Sequence, residues 1–175
     1  MNAYRWGLVI VAVCLVATAV TVVHRHSQCH REVKDVVDAF ADFDSRLQVG
    51  MDYHDYTDGV GTLSAALDRL GRAIGSHRSP AQTDLEAAFS EYSFALDVRR
   101  AYMVSDEGYN HIPASTAEGQ RLVHEYHVRT TFLRDFKELG TNNPASGSLY
   151  VYLPEALSAI WEHAHSRVAE TKKGI

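Results

Sequence analysis

The sequence predicts an all-α protein: a single N-terminal transmembrane helix followed by an antiparallel helical bundle of about five helices. Three observations carry that prediction. Trp6 to Val23 (WGLVIVAVCLVATAVTVV) contains no charged residue. From His30 onward, apolar residues recur at spacings of three and four, the period of one helix face. No stretch shows sustained two-residue alternation flanked by hairpin turns.

The apolar run comes first. At 1.5 Å per residue it is ~27 Å long as a helix, close to the ~30 Å hydrocarbon thickness of a bilayer. Trp6, Leu8, Ile10, Leu15 and Val23 are the residues that hold it in lipid. Ala17-Thr18-Ala19 resembles a small-x-small cleavage site, but apolar residues continue through Val20, Val22 and Val23, where a cleaved signal turns polar. Cys14 follows Val13 rather than a small residue, which argues against lipidation. The run is therefore read as an uncleaved signal-anchor. Arg5 precedes it, and Arg25, Arg31 and Lys34 follow it. That count leans toward a cytosolic body. The signal-like layout leans the other way, and the reading adopted is single-pass with an extracytoplasmic soluble domain. The divisions are a tail (1–5), the transmembrane helix (6–23), a juxtamembrane segment (24–30), the bundle (31–172) and a short tail (173–175).

Each later helix follows from its own signals. Val33, Val36, Val37, Phe40, Phe43 and Leu47 form the first stripe, and Gly50 ends it. Tyr56, Val60, Leu63, Leu67, Leu70 and Ile74 form the second, with Asp52 or Asp55 as the N-cap and Gly75 as the stop. Ser79-Pro80-Ala81-Gln82 opens the third with a cap, a first-turn proline and a capping-box glutamine. Its buried face is Leu85, Ala88, Phe89, Tyr92, Leu96 and Met103, and Asp106 to Pro113 is a loop. Ser115 and Glu118 have capping-box spacing for a fourth helix, through Leu122, Val123, Tyr126, Leu133 and Phe136 to Gly140. Thr141 to Ser148 (TNNPASGS) is a connector. Pro154 sits in the first turn of the fifth helix, which buries Leu157, Ile160, Trp161, Ala164 and Val168. Leu149 to Leu153 (LYVYL) is a candidate strand with no evident partner. Short connectors imply antiparallel neighbours.

Composition narrows function by exclusion. The net charge of −5 argues against nucleic acid, whose phosphates demand a basic face. About 150 residues beyond the anchor suit one domain. Cys29 is the only thiol of the soluble part, so no disulfide framework exists there. There is no Gly-rich phosphate loop, nucleophile elbow or Cys-x-x-Cys, and the expectation is a non-enzyme without a cofactor.

Ten histidines raise the question of metal. His24, His26 and His30 cluster with Cys29, and on a helix His26 and His30 share a face. Imidazole and thiolate suit zinc or copper, but no fourth ligand is fixed by spacing. His26, Cys29 and His30 are thus weak candidates only. Glu162 and His165 have the Glu-x-x-His spacing of di-iron bundles, but no second copy exists. His124 and His127 lie three apart on the fourth helix with Glu125 between them. Glu86 and Glu91 read as solvent-directed. Asp52, Tyr53, His54, Asp55, Tyr56 and Asp58 form a polar-aromatic cluster in which capping outweighs acid–base work, with Tyr53 and Tyr56 packing onto the bundle end.

The segment Leu47 to Tyr56 resembles a hairpin of uncharacterised bacterial helical proteins, in which a helix ends in glycine and two tyrosines three apart open the next. A pairing of Tyr92 with Trp161 on the last helix is compatible with that pattern. The resemblance implies a shared hairpin design and no activity. The functional expectation is an accessory or interaction protein, bound to lipid through residues 6–23 and docked on a membrane-associated partner or a second copy of itself. The alternative is an extracytoplasmic helical module for a small ligand or metal, motivated by Tyr53, His54, Tyr109 and His111.

Overall fold

The computed structural model describes residues 27–75, 79–103, 110–134 and 147–174. Four long helices make up most of it: α1 (27–49), α2 (Tyr53–Ile74), α3 (Pro80–Met103) and α5 (Leu153–Lys173). A short helix, α4 (Ala117–His124), and three strands, β1 (His111–Pro113), β2 (Thr130–Arg134) and β3 (Gly147–Tyr152), lie between α3 and α5 in sequence. The protein is thus mostly helical, as the periodicity predicts. Among the described residues no helix is long and apolar enough to cross a membrane. Residues 6–23, where the anchor is expected, lie outside the described residues.

The predicted stops and starts hold at the first three helices. Gly50 adopts φ +101° and its N–H returns to the Leu47 carbonyl at 3.2 Å, a conformation that favours glycine. Asp52 caps α2: its Oδ1 accepts from the Asp55 N–H at 2.7 Å. Ser79 Oγ accepts from the Gln82 N–H at 3.1 Å at the head of α3. Pro154 sits in the first turn of α5, where its missing N–H has no helical partner to lose.

The core gathers one face from each long helix. Val36, Phe40 and Phe43 of α1 meet Tyr56 and Leu63 of α2, Leu85 and Tyr92 of α3, and Ile160 of α5, all nearly or fully buried. The Phe43 ring stands edge-on to Tyr56 (5.2 Å) and Tyr92 (5.1 Å). Edge-to-face pairs contribute about 0.5–1.5 kcal/mol beyond area burial. Gly59 lets Phe43 lie directly on the α2 backbone, since a Cβ there would overlap the ring. Arg99, late in α3, donates to the carbonyls of Met51 (3.1 Å) and Asp52 (3.3 Å) at the start of α2, so these two helices run antiparallel.

Two expectations are corrected. The fourth helix does not run to Phe136. It is eight residues long and is capped by Thr116, not Ser115: Thr116 Oγ1 accepts from the Gly119 N–H at 3.0 Å. It ends at His124, and His127 follows at φ +54° with the Val128 N–H bonded to the Leu122 carbonyl. The physical reason lies in the residues beyond. Val128, Thr130, Thr131 and Phe132 are β-branched or aromatic and favour extended backbone, and the last three open β2. The LYVYL segment is also not a lone strand. Its residues 149–152 lie in β3, at the centre of an antiparallel sheet of order β1-β3-β2, with Ile112 opposite Val151 on one side and Phe132 opposite Leu149 on the other, while Leu153 opens α5. Its partners sit in the expected loop and the expected helix. Pro113 occupies the edge strand, where no ladder donor is needed. Ile112, Leu122 and Val151 are fully buried and join the sheet to the main core.

Gly119 packs so closely on the Pro113 carbonyl and Ala114 that a Cβ has no room, whereas Gly61 on α2 faces open space. In urea melts, Gly119→Ala should lower the unfolding free energy by about 1–3 kcal/mol through overpacking. Gly61→Ala should raise it by about 0.5–1 kcal/mol through helix propensity. Equal effects of the two changes would contradict this packing.

Candidate functional site

Two carboxylates, both on stripes that are otherwise apolar, define the chemistry of the interior. Asp44 follows Phe40 by one turn on α1, and Glu91 sits between Ala88 and Ala95 on α3. Both are buried, with 8% and 5% of their surface exposed. An unpaired carboxylate at such a depth is strongly unfavourable, so each must have partners. α5 supplies them from two faces. Trp161 and His165 are one turn apart on one face; His163 and Arg167 are one turn apart on the other.

The first face meets Asp44. His165 Nδ1 lies 2.7 Å from Asp44 Oδ2, and the Tyr92 hydroxyl donates to Oδ1. Trp161 Nε1 donates to the Tyr56 hydroxyl at 3.1 Å, and that hydroxyl donates to the Tyr92 carbonyl at 3.0 Å. Burial pushes the Tyr56 and Tyr92 hydroxyls well above the ordinary tyrosine range; the neighbouring Asp44 charge acts the same way. Both therefore remain protonated donors. A carboxylate that orients an imidazole is one half of a general-base arrangement. Among the described residues no serine or cysteine hydrogen-bonds His165, so the pair holds no nucleophile.

The second face meets Glu91. Arg167 Nε donates to Glu91 Oε1 at 2.7 Å, and His163 Nδ1 lies 2.9 Å from the same oxygen. Glu91 Oε2 is buried with no hydrogen-bond partner. Tyr126, just past α4, stands edge-on to the His163 ring at 5.6 Å. The Arg121 guanidinium lies 4.0 Å from the centre of the Phe94 ring and bonds Glu125 Oε2 through Nε at 2.8 Å. A cleft of about 440 Å³ opens over Glu91 among these residues. A second depression of about 550 Å³ between α2 and α3 is larger but gathers only Asp68, Arg72 and Glu86 as charged groups.

The residues singled out from sequence are mostly dispersed. Glu91 is buried, not solvent-directed, because its helix position faces α5; Glu86 is half-buried and accepts from Gln82 Nε2 at 2.7 Å. Glu162 is exposed, and His165 turns to Asp44 instead of toward it. His124 ends α4 and His127 lies beyond it, both exposed, so they share no helix face. Tyr56 is fully buried in the core rather than at the bundle end, while Tyr53 is half-buried with Arg99 6.0 Å from its ring. Trp161 pairs with Tyr56 (ring centres 6.0 Å apart) rather than with the Tyr92 side chain. Asp52 acts as a cap, and His54 makes only an exposed 3.6 Å pair with Asp58. His111 sits on β1 beside Tyr150 and Tyr152, 6.4 and 5.6 Å between ring centres. Tyr109, His24 and His26 lie outside the described residues. Cys29 is half-buried against the core and His30 is exposed. Among the described residues no three His, Cys, Asp or Glu side chains gather to hold a metal ion.

Sequence reasoning missed Asp44, His163, Arg167, Arg121 and Tyr126. For Asp44 and Glu91 the signal exists: each is a carboxylate at a position whose one-turn neighbours are apolar. For the others there is none, because their partners are remote in sequence.

No protein-family model matches the chain, and neither a curated protein nor a solved structure does.

Alkaline unfolding tests the buried tyrosines. Unfolded tyrosine ionises near pH 10, whereas folded Tyr56 and Tyr92 hold their protons higher. The folded state thus binds more protons above that pH, and its stability falls as pH rises. The slope is up to about 1.4 kcal/mol per pH unit for each tyrosine. Urea midpoints between neutral and strongly alkaline pH should show this loss, and Tyr56→Phe should remove one tyrosine's share. An unchanged slope in that variant would refute the assignment.

Proposed function

We propose that this chain is a single-pass membrane protein whose helical body serves as an accessory or interaction module for a membrane-associated partner. The observation that carries the reading is the eighteen-residue uncharged run, Trp6 to Val23, placed directly before a folded helical body. Three residues separate Val23 from residue 27, where the described part of α1 begins, and α1 contributes Val36, Phe40 and Phe43 to the core. An anchor continuous with α1 would couple the body to the bilayer through packed helix rather than through a loose tether. Confinement to one plane raises the effective concentration of the body toward any partner in that membrane, so that a modest interface suffices. The net charge of −5 disfavours a nucleic-acid partner. The signal-like order of Arg5, apolar core and small residues supports an extracytoplasmic body.

Membrane fractionation of cells expressing the full chain tests the anchor. The chain should stay with the membrane through an alkaline carbonate wash, and a variant lacking residues 6–23 should move to the supernatant. A mature chain that begins near Val20 and washes off would end the anchored reading. Protease added to intact cells or spheroplasts should digest the body from outside; protection would place it on the other side. Crosslinking in the intact membrane should give a discrete adduct, and recovery of the monomer alone would end the accessory reading.

A further inference from the structure

The cleft among α3, α4 and α5 gathers donor groups that the protein itself does not use. Arg167 contacts Glu91 through Nε alone, and Arg121 contacts Glu125 through Nε alone. The terminal N–H groups of both guanidiniums have no protein partner among the described residues. The same holds for the Tyr126 hydroxyl, the Ser90 hydroxyl and His163 Nε2. All five residues line one cleft of about 440 Å³, a size suited to a small molecule. Glu91 lines the same cleft, and its Oε1 is taken by Arg167 Nε and His163 Nδ1, which leaves the other groups of those side chains open.

Position and charge select the ligand class. The Arg121 guanidinium carbon lies 4.0 Å from the centre of the Phe94 ring and its Nε bonds Glu125, two contacts that restrict where its terminal N–H groups sit. Glu91 and Glu125 balance the two arginines, so a ligand need carry only the charge that the open N–H groups can take. Burial raises the Tyr126 hydroxyl, which keeps it a donor. Two unused guanidinium ends and a phenol are complementary to planar or tetrahedral oxyanions, which accept several N–H bonds at once.

We propose that this cleft binds a small molecule through a carboxylate or phosphate group, gripped by the terminal N–H groups of Arg121 and Arg167 with the Tyr126 hydroxyl. The site lies on residues separate from the expected anchor and stands whether or not residues 6–23 lie in lipid.

Calorimetric titration of the full chain in non-ionic detergent tests this, with inorganic phosphate and citrate as separate probes at low salt. At least one should give a saturable isotherm with one site per chain. Arg121→Gln should weaken it about tenfold or more, the loss of a charge-assisted contact. Tyr126→Phe removes only a hydroxyl and should weaken it less. Where Arg121→Gln shifts the melting temperature, Arg121→Lys serves instead: it keeps the charge, loses the fork and should still bind more weakly. No saturable heat with either probe overturns the proposal. So does unchanged affinity in a natively melting Arg121→Gln chain. Binding to phosphatidylglycerol vesicles with none to free phosphate or citrate would assign the surface to lipid headgroups and overturn the small-molecule site.

Discussion

The pairing of α5 with two buried carboxylates is the constraint on which the arrangement of this protein depends. Asp44 and Glu91 sit on stripes that otherwise bury only apolar surface, and α5 is the element that answers both. Its register leaves little freedom. A turn of α5 in either direction would withdraw His165 from Asp44 and Arg167 from Glu91 together, leaving Asp44 with the Tyr92 hydroxyl and Glu91 without its arginine. The α5 side chains of these pairs are partly exposed, so breaking one costs less than the about 3–5 kcal/mol of a fully buried pair, and replacing a whole pair by apolar groups is often neutral. The pairs therefore specify where α5 sits more than they stabilise it. Stability comes instead from the aromatic centre: burial of side chains such as Phe40, Phe43, Tyr56 and Tyr92 contributes about 1.5–3 kcal/mol each.

The small sheet gives the second face of α5 its cover. α4 and the turn after it bring Arg121, Glu125 and Tyr126 over Glu91 and His163. They are held there because Leu122, Val128, Ile112 and Val151 are buried in one continuous core. Gly119 allows α4 to approach the turn after β1, and the left-handed backbone at His127 redirects the chain into β2. A fourth helix running to Phe136 would have carried Tyr126 and Leu133 along one stripe and left no cleft of this kind. The break in the helix and the polar site are thus one structural event.

What was readable in the chain divides along the same line. The caps at Asp52 and Ser79, the first-turn Pro154 and the stops at Gly50 and Gly75 were legible because each depends on one residue and the nearest backbone. The stripe from Val33 to Phe43 was legible because helical period is a property of neighbours in sequence. The sheet was not. β1 is three residues long and contains a proline, and β2 carries leucine and arginine positions that also suit a helix. β1 has no strand signal of its own, and the Thr130 to Phe132 run of β2 gains a ladder only because β3 lies between them. The site was hardly readable. Asp44 and Glu91 are carboxylates with Phe40 and Leu47, and Ala88 and Ala95, a turn away, yet the sequence pattern alone passed over Asp44 and turned Glu91 to solvent. Their partners lie 121 and 76 residues away along the chain, and spacing has no reach over that distance.

By itself, then, the sequence determined that the body is mostly helical, where three of its long helices begin or end, and that an uncharged segment of membrane-spanning length precedes it. Those properties depend on contacts within a few residues. Tertiary structure decided that the β-branched run after the short fourth helix continues as strand rather than as more helix, and that β3 lies between two strands. It also decided that two acidic residues on different helices are answered by two faces of α5. These outcomes depend on which surfaces meet, and burial made polar pairing obligatory only once they had met.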